Sequence, residues 1–164
     1  MTKTALMGAF PSQEHNHRAC QRQALRRAEE ECARKGIRLT ALRRRVLELI
    51  WDSHAPVKAY DLLDQLKGER RGAAPPTVYR ALDFLVAEGF IHRIESLNAY
   101  VGCDGPDEAH QGQFLICRQC GESAELSDPD VTELLAAKAA RLGFDVDQTT
   151  IELTGVCPRC RATP

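Results

Sequence analysis

Two cysteine pairs, Cys117-Arg-Gln-Cys120 and Cys157-Pro-Arg-Cys160, constrain this chain more than any other feature. A CxxC knuckle lets two sulfurs turn inward on one metal. Two knuckles supply four thiolates, a set that suits a tetrahedral zinc ion. The gap between the pairs exceeds the roughly 15–20 residues of a simple zinc ribbon. A helix and a strand must therefore fold before the pairs meet. A closed four-cysteine site has no vacant position, which gives it a structural role. A thioredoxin-like dithiol or an iron–sulfur site would also use CxxC, but a thioredoxin motif usually stands alone and opens a helix after a strand.

The chain has 164 residues and seven cysteines. Its only apolar N-terminal run, Ala5–Phe10, is shorter than the roughly 7–15 residues of a signal segment. No stretch approaches the roughly 20 apolar residues of a membrane span. A cytoplasmic, reducing setting is the expectation, and there cysteines point to metal or redox chemistry rather than disulfides. Residues 1–102 carry 17 Lys and Arg against 12 Asp and Glu, whereas residues 103–164 carry 5 against 11. A basic front and an acidic rear suggest different tasks, with a polyanion as one candidate partner of the front.

Residues 1–17 show no period and read as a loose tail, in which His15 and His17 make a surface pair. Residues 18–35 are rich in helix formers and weakly apolar, which predicts a surface helix stopped by Gly36. Cys20 and Cys32 fall in it without a CxxC partner. Thr40 is a good N-cap for the next helix, whose stripe is Leu42, Val46, Leu49 and Ile50, with Arg43, Arg44 and Arg45 on the other side. Lys58–Leu66 forms a short amphipathic helix, and Gly68–Pro75 a connector. Pro75-Pro76-Thr77-Val78-Tyr79-Arg80 then opens a third helix, since proline suits a first turn. Val78, Leu82, Leu85 and Val86 are its expected buried stripe, and Gly89 ends it. Thr77 and Arg80 face the other way, where a recognition helix reaches base edges in the major groove.

After Gly89 the period falls to about 2. Phe90–Glu95 and Ala99–Cys103 read as strands around Ser96-Leu97-Asn98. Three helices followed by a hairpin is a winged-helix arrangement. The segment 103–112 reads as a hinge loop. Beyond it, Gln113–Cys117 and Ser123–Leu126 read as strands, Val131–Leu142 as a helix with Leu134, Leu135 and Lys138 at core-and-rim spacing, and Phe144–Leu153 as a strand. The whole is α+β: a winged-helix domain over 18–102 and an α/β domain over 113–164. The rear domain is small for a lone core, so metal and self-association would both support it.

A second set of ligand-type residues brackets the hinge. His92 lies in the first wing strand, Cys103 at the end of the second, His110 in the loop, and Glu125 five residues beyond Cys120. Two imidazoles, a thiolate and a carboxylate suit zinc and disfavour magnesium or calcium. Ligands drawn from both halves would couple metal binding to domain orientation, as a metal switch requires.

From Arg18 to Cys160 the chain resembles the ferric uptake regulator family of metal-dependent repressors, and within it the zinc-responsive branch. The motifs that carry the resemblance are Leu39-Thr-Ala-Leu-Arg43, Ala59-Tyr-Asp-Leu-Leu63, Pro75-Pro-Thr-Val-Tyr-Arg-Ala-Leu-Asp-Phe-Leu85 and the two cysteine knuckles. The resemblance implies a winged-helix domain followed by a dimerisation domain, acting as a homodimer on a double-stranded DNA operator. It implies Cys117, Cys120, Cys157 and Cys160 as ligands of a structural zinc. It implies His92, Cys103, His110 and Glu125 as ligands of a regulatory zinc, giving two zinc ions per chain. Tyr60 and Arg80 match positions that touch DNA, and Arg43 and Arg44 would meet phosphates. Iron-sensing members show a His-rich run before the first knuckle. Here Ala109-His-Gln-Gly-Gln113 holds one histidine, which weakens iron- and peroxide-sensing readings. Enzymatic activity finds no nucleophile–base pair or phosphate-cradling loop to rest on.

Overall fold

The computed structural model describes residues 10, 16–69, 74–103, 105 and 112–162. His15, His110 and most of the expected hinge lie outside the described residues. The chain divides into two compact units, one drawn from Gln13–Glu108 and the other from Ala109–Pro164.

The first unit opens with α1 (His17–Lys35), α2 (Ala41–Ile50), β1 (Val57–Lys58), α3 (Ala59–Glu69) and α4 (Pro75–Ala87). It closes with the hairpin β2 (Ile91–Ile94) and β3 (Ala99–Gly102). Asn16 Oδ1 accepts the Ala19 N–H at the start of α1, and Gly36 ends the helix at φ 67°. The weakly apolar α1 is more than a surface helix. Leu25, Ala28 and Cys32, spaced i, i+3 and i+7, sink into the core with α2, α3 and α4. Two of the three are small, which is why the stripe hardly registers as apolar.

Thr40 caps α2 as expected, its Oγ1 accepting the Arg43 N–H at 3.3 Å. Val46, Leu47, Leu49 and Ile50 are buried. In α4 the buried stripe is Val78, Ala81, Leu82 and Leu85. Val86 departs from expectation and is 39% exposed. At 3.6 residues per turn it lies about 90° round the helix from the centre of that stripe. Gly89 turns the chain at φ 75°, and Asn98 occupies the left-handed region at the hairpin tip with φ 46°. β2 and β3 pair antiparallel, with Ile91 opposite Gly102 and Ile94 opposite Ala99. β1 joins the other edge of β3, a two-residue strand too short to show any period in the sequence.

The second unit holds β4 (Gln113–Cys117), β5 (Ser123–Leu126), α5 (Pro129–Ala140), β6 (Ile151–Gly155) and α6 (Pro158–Ala162). β4 is the central strand, antiparallel to β5 and parallel to β6. Asp128 caps α5 by accepting the Asp130 N–H at 3.0 Å. Leu134 and Leu135, expected with Lys138 at core-and-rim positions, are 56% and 44% exposed, and no residue of α5 is buried. Among the described residues the apolar side of α5 therefore stays open. The strand expected from Phe144 begins only at Ile151. The parallel pairing starts with Ile151 opposite Gln113, and among the described residues 144–150 pair with no strand.

Candidate metal centre and nucleic-acid interface

Cys117 ends β4, and Cys120 follows in a tight turn closed by the Gly121 N–H on the Cys117 carbonyl. Cys157 precedes α6, and Cys160 lies in its first turns. The β4–β6 pairing puts Gly155 opposite Cys117, and the Arg118 N–H donates to the Gly155 carbonyl at 2.9 Å. That parallel pairing is what delivers the second knuckle to the first. The four sulfurs lie within 4.8 Å of one another. Cys120 Sγ and Cys157 Sγ are 3.8 Å apart. A tetrahedron with zinc–sulfur bonds of about 2.3 Å has edges of about 3.8 Å, so the set fits zinc. All four are free thiols, and 3.8 Å is well beyond the ~2.05 Å of a disulfide.

Backbone N–H groups point at these sulfurs. Cys157 N–H donates to Cys117 Sγ at 3.3 Å, and Cys160 N–H to Cys157 Sγ at 3.4 Å. The backbone N–H groups of Cys120 and then Cys157 pull the Cys117 thiol down to about 6. A hydrogen bond to Cys157 and burial among the other sulfurs push Cys160 up to about 12. Sulfurs this close do not all ionise unless a cation offsets their charge.

The second ligand set is only partly assembled by either unit alone. His92 on β2 and Cys103, just beyond β3, bring an imidazole nitrogen and a thiol within 4.8 Å. Cys103 is 3% exposed, and its N–H donates to the Phe90 carbonyl at 3.1 Å. Hairpin pairing is the cause, because it lays the start of β2 against the end of β3. Glu125 belongs to the second unit, on β5 opposite Phe114. His110 lies outside the described residues.

Tyr60 on α3 is 67% exposed, and Thr77 and Arg80 are exposed in the first turns of α4. Arg80 has no ion-pair partner among the described residues. The α2 arginines are held differently. Arg43 stacks on the Phe84 ring at 3.6 Å and donates to the Arg38 carbonyl at 2.6 Å. Arg44 pairs with Glu29 at 2.8 Å and with Glu48. Arg45 donates to Glu69 at 2.7 Å. Tyr79, which the sequence reading did not single out, is 48% exposed beside Arg80. Its place between Val78 and Arg80 on an exposed first turn was the available signal.

The sequence pattern of the ferric uptake regulator family matches residues 34–154. The chain belongs to the ferric uptake regulator family. It is 42% identical over 137 residues to the zinc uptake regulation protein of Escherichia coli K12, covering 83% of this chain and 80% of that protein. It superposes on a zinc uptake regulator complexed with zinc and DNA with TM-score 0.81 and 40% identity, over 86% of this chain and 95% of that one. The crystal structure of holo XcZur matches with TM-score 0.79 and 47% identity, over 86% and 99% of the two chains. The fold is that of these winged-helix regulators, with an α/β unit following. Among the described residues, no helix is long and apolar enough to cross a membrane.

Proposed function

We propose that this protein is a zinc-responsive transcriptional repressor, a homodimer that binds palindromic operator DNA of zinc-acquisition genes in the cytoplasm. The observation that carries the reading is the four-cysteine cluster of zinc-binding shape in a chain so similar to zinc uptake regulators. Two zinc ions per chain and the absence of enzymatic activity are part of the proposal. So are a winged-helix domain over 18–102, a hinge over 103–112 and a dimerisation domain over 113–164.

Zinc at Cys117, Cys120, Cys157 and Cys160 would neutralise thiolate charge and tie the knuckles together. His92 and Cys103 would hold the regulatory ion with His110 and Glu125. Ligands from both sides of the hinge restrict domain orientations, so fewer remain to be frozen when DNA binds. The exposed apolar face of α5, with Leu134 and Leu135, supports self-association. Arg80, exposed at the start of α4 and without an ion-pair partner among the described residues, would read a purine edge. Thr77 and Tyr60 would add groove or phosphate contacts. Arg43 and Arg44 would meet phosphates by giving up some of their present partners.

The test is zinc per chain before and after mild chelation, alongside duplex binding titrated with zinc and with ferrous iron. The duplex is a palindrome selected from random sequence. Two zinc ions falling to one, with DNA binding lost at the same step, is the expected result. Binding that survives loss of the second zinc, or that ferrous iron restores equally well, overturns the proposal.

A further inference from the structure

His17 opens α1, and neither metal set uses it. The sequence reading pairs it with His15, but the structure sets it on His54, 37 residues further along. The two ring centres are 4.3 Å apart and the planes are inclined by 36°. His17 is exposed and His54 half-buried. Hydrogen bonds fix the backbone around both. Asn16 caps α1 by accepting the Ala19 N–H at 3.2 Å. Gln21, one turn on from His17, donates through Nε2 to the Glu48 carbonyl at 2.9 Å and to Asp52 Oδ1 at 2.7 Å. The first turns of α1 are thereby held to α2 and to the loop that carries His54. Trp51 meets His54 edge-on, with ring centres 6.3 Å apart and planes at 78°.

We propose that His17 and His54 form a further, weaker metal site, which takes a borderline divalent cation such as zinc, nickel or copper. Neutral imidazole is a good ligand for all three. With metal–nitrogen bonds of about 2.0–2.1 Å, two imidazoles at right angles on one ion have ring centres about 4.5 Å apart. The observed 4.3 Å matches that spacing, and rotation about the side-chain bonds turns a nitrogen of each ring to the ion. The pair belongs to neither cluster of three or more ligand-type residues among the described residues. Water therefore completes the coordination shell, and the ion exchanges more readily than one enclosed by four thiolates. Such a site fills only after the stronger sets are occupied. An ion there ties the first turn of α1 to the loop after α2, and it adds to the hold that Gln21 already provides. The proposal does not depend on the reading of the four cysteines or of the hinge set.

The experiment uses the full chain, loaded with zinc and freed of excess metal, as wild type, His17→Gln and His54→Gln, with circular dichroism to confirm folding. Nickel(II) is titrated in while the emission of the only tryptophan is followed. Trp51 lies close enough to His54 for a bound open-shell ion to quench it. Zinc retained by the chain is counted at the end point. Wild type is expected to show saturable quenching with one nickel per chain and its zinc retained. His17→Gln and His54→Gln should each weaken nickel binding by about tenfold or more, since each removes half of the ligands that the protein supplies. Quenching that does not saturate overturns the proposal, as does a dissociation constant within about twofold of wild type for either variant, which would leave the two rings merely packed together. Nickel uptake matched by an equal loss of zinc overturns it too, because exchange at another site would then account for the signal. If His54→Gln does not fold, His17→Gln, on the exposed first turn of α1, decides by the same twofold criterion. A wild type that holds no zinc at the outset refutes the zinc reading instead, and the nickel titration of the two variants still decides this one.

Discussion

Replacing Gly102 with alanine probes how the core of the first unit supports Cys103. A Cβ at Gly102 would stand 2.2 Å from Trp51 Cε2 and 2.5 Å from Cζ2 and Nε1. Carbon atoms in comfortable contact are about 3.5–4.0 Å apart. The indole or the strand must therefore retreat by more than about an ångström. Trp51 is 6% exposed and packs within the main core cluster, so moving its rigid ring disturbs the packing around it. Overpacking of this kind costs about 1–3 kcal/mol. For a unit of this size each kcal/mol lowers Tm by about 4–8 °C, so the expected fall is about 4–24 °C. Thermal unfolding by circular dichroism reads it, and emission from the only tryptophan reports the displaced ring. The control is a double-mutant cycle. Trp51→Ala alone costs about 3–5 kcal/mol. Adding Gly102→Ala to it is expected to cost under about 0.5 kcal/mol, because the clash is gone. A Tm within a degree of wild type, or an undiminished penalty in the Trp51→Ala background, would refute the reasoning.

Three further outcomes are expected. Thr40→Ala removes the side-chain cap of α2 and should cost about 1 kcal/mol in the first unit, read by denaturant midpoint; no change would mean the Arg43 N–H finds another acceptor. Cys117→Ser should unfold the second unit, because structural zinc sites contribute roughly 10–16 kcal/mol and the described core there is small, with Phe114, Ile116 and Ala124 its buried apolar residues besides cysteines. A stable, zinc-free variant with native circular dichroism contradicts that. Arg80→Ala should weaken binding to the selected palindrome by about 1–3 kcal/mol with little loss on random duplex, measured by anisotropy at fixed salt; equal loss on both would make Arg80 a phosphate contact.

Much of the first unit was legible because its signals are local. Thr40 as a cap, Gly36 and Gly89 as stops, and Pro75 in a first turn each depend on a few neighbouring residues. The burial of α1 was not legible, since Leu25 is the only large apolar residue among the three that sink inward and charged residues surround them. Leu134 and Leu135 misled for the opposite reason: periodicity shows that a face is apolar, not whether the same chain covers it. The strand expected from Phe144 failed because alternation describes one strand, whereas pairing needs a neighbour in register.

The sequence by itself determined the chemistry on offer: four thiols in two knuckles, an exposed Arg80 on a proline-led helix, and the family motifs around them. CxxC spacing works over a single turn, so it needs no tertiary information. Tertiary structure decided which distant residues meet. Parallel pairing of β4 with β6 brings Cys157 to Cys117, and the β2–β3 hairpin brings His92 to Cys103. It also set Arg43 on Phe84, Trp51 on Gly102 and Arg159 on Glu122. Such contacts follow from register and packing across many residues, where each side chain's partner is fixed by the path of the whole chain.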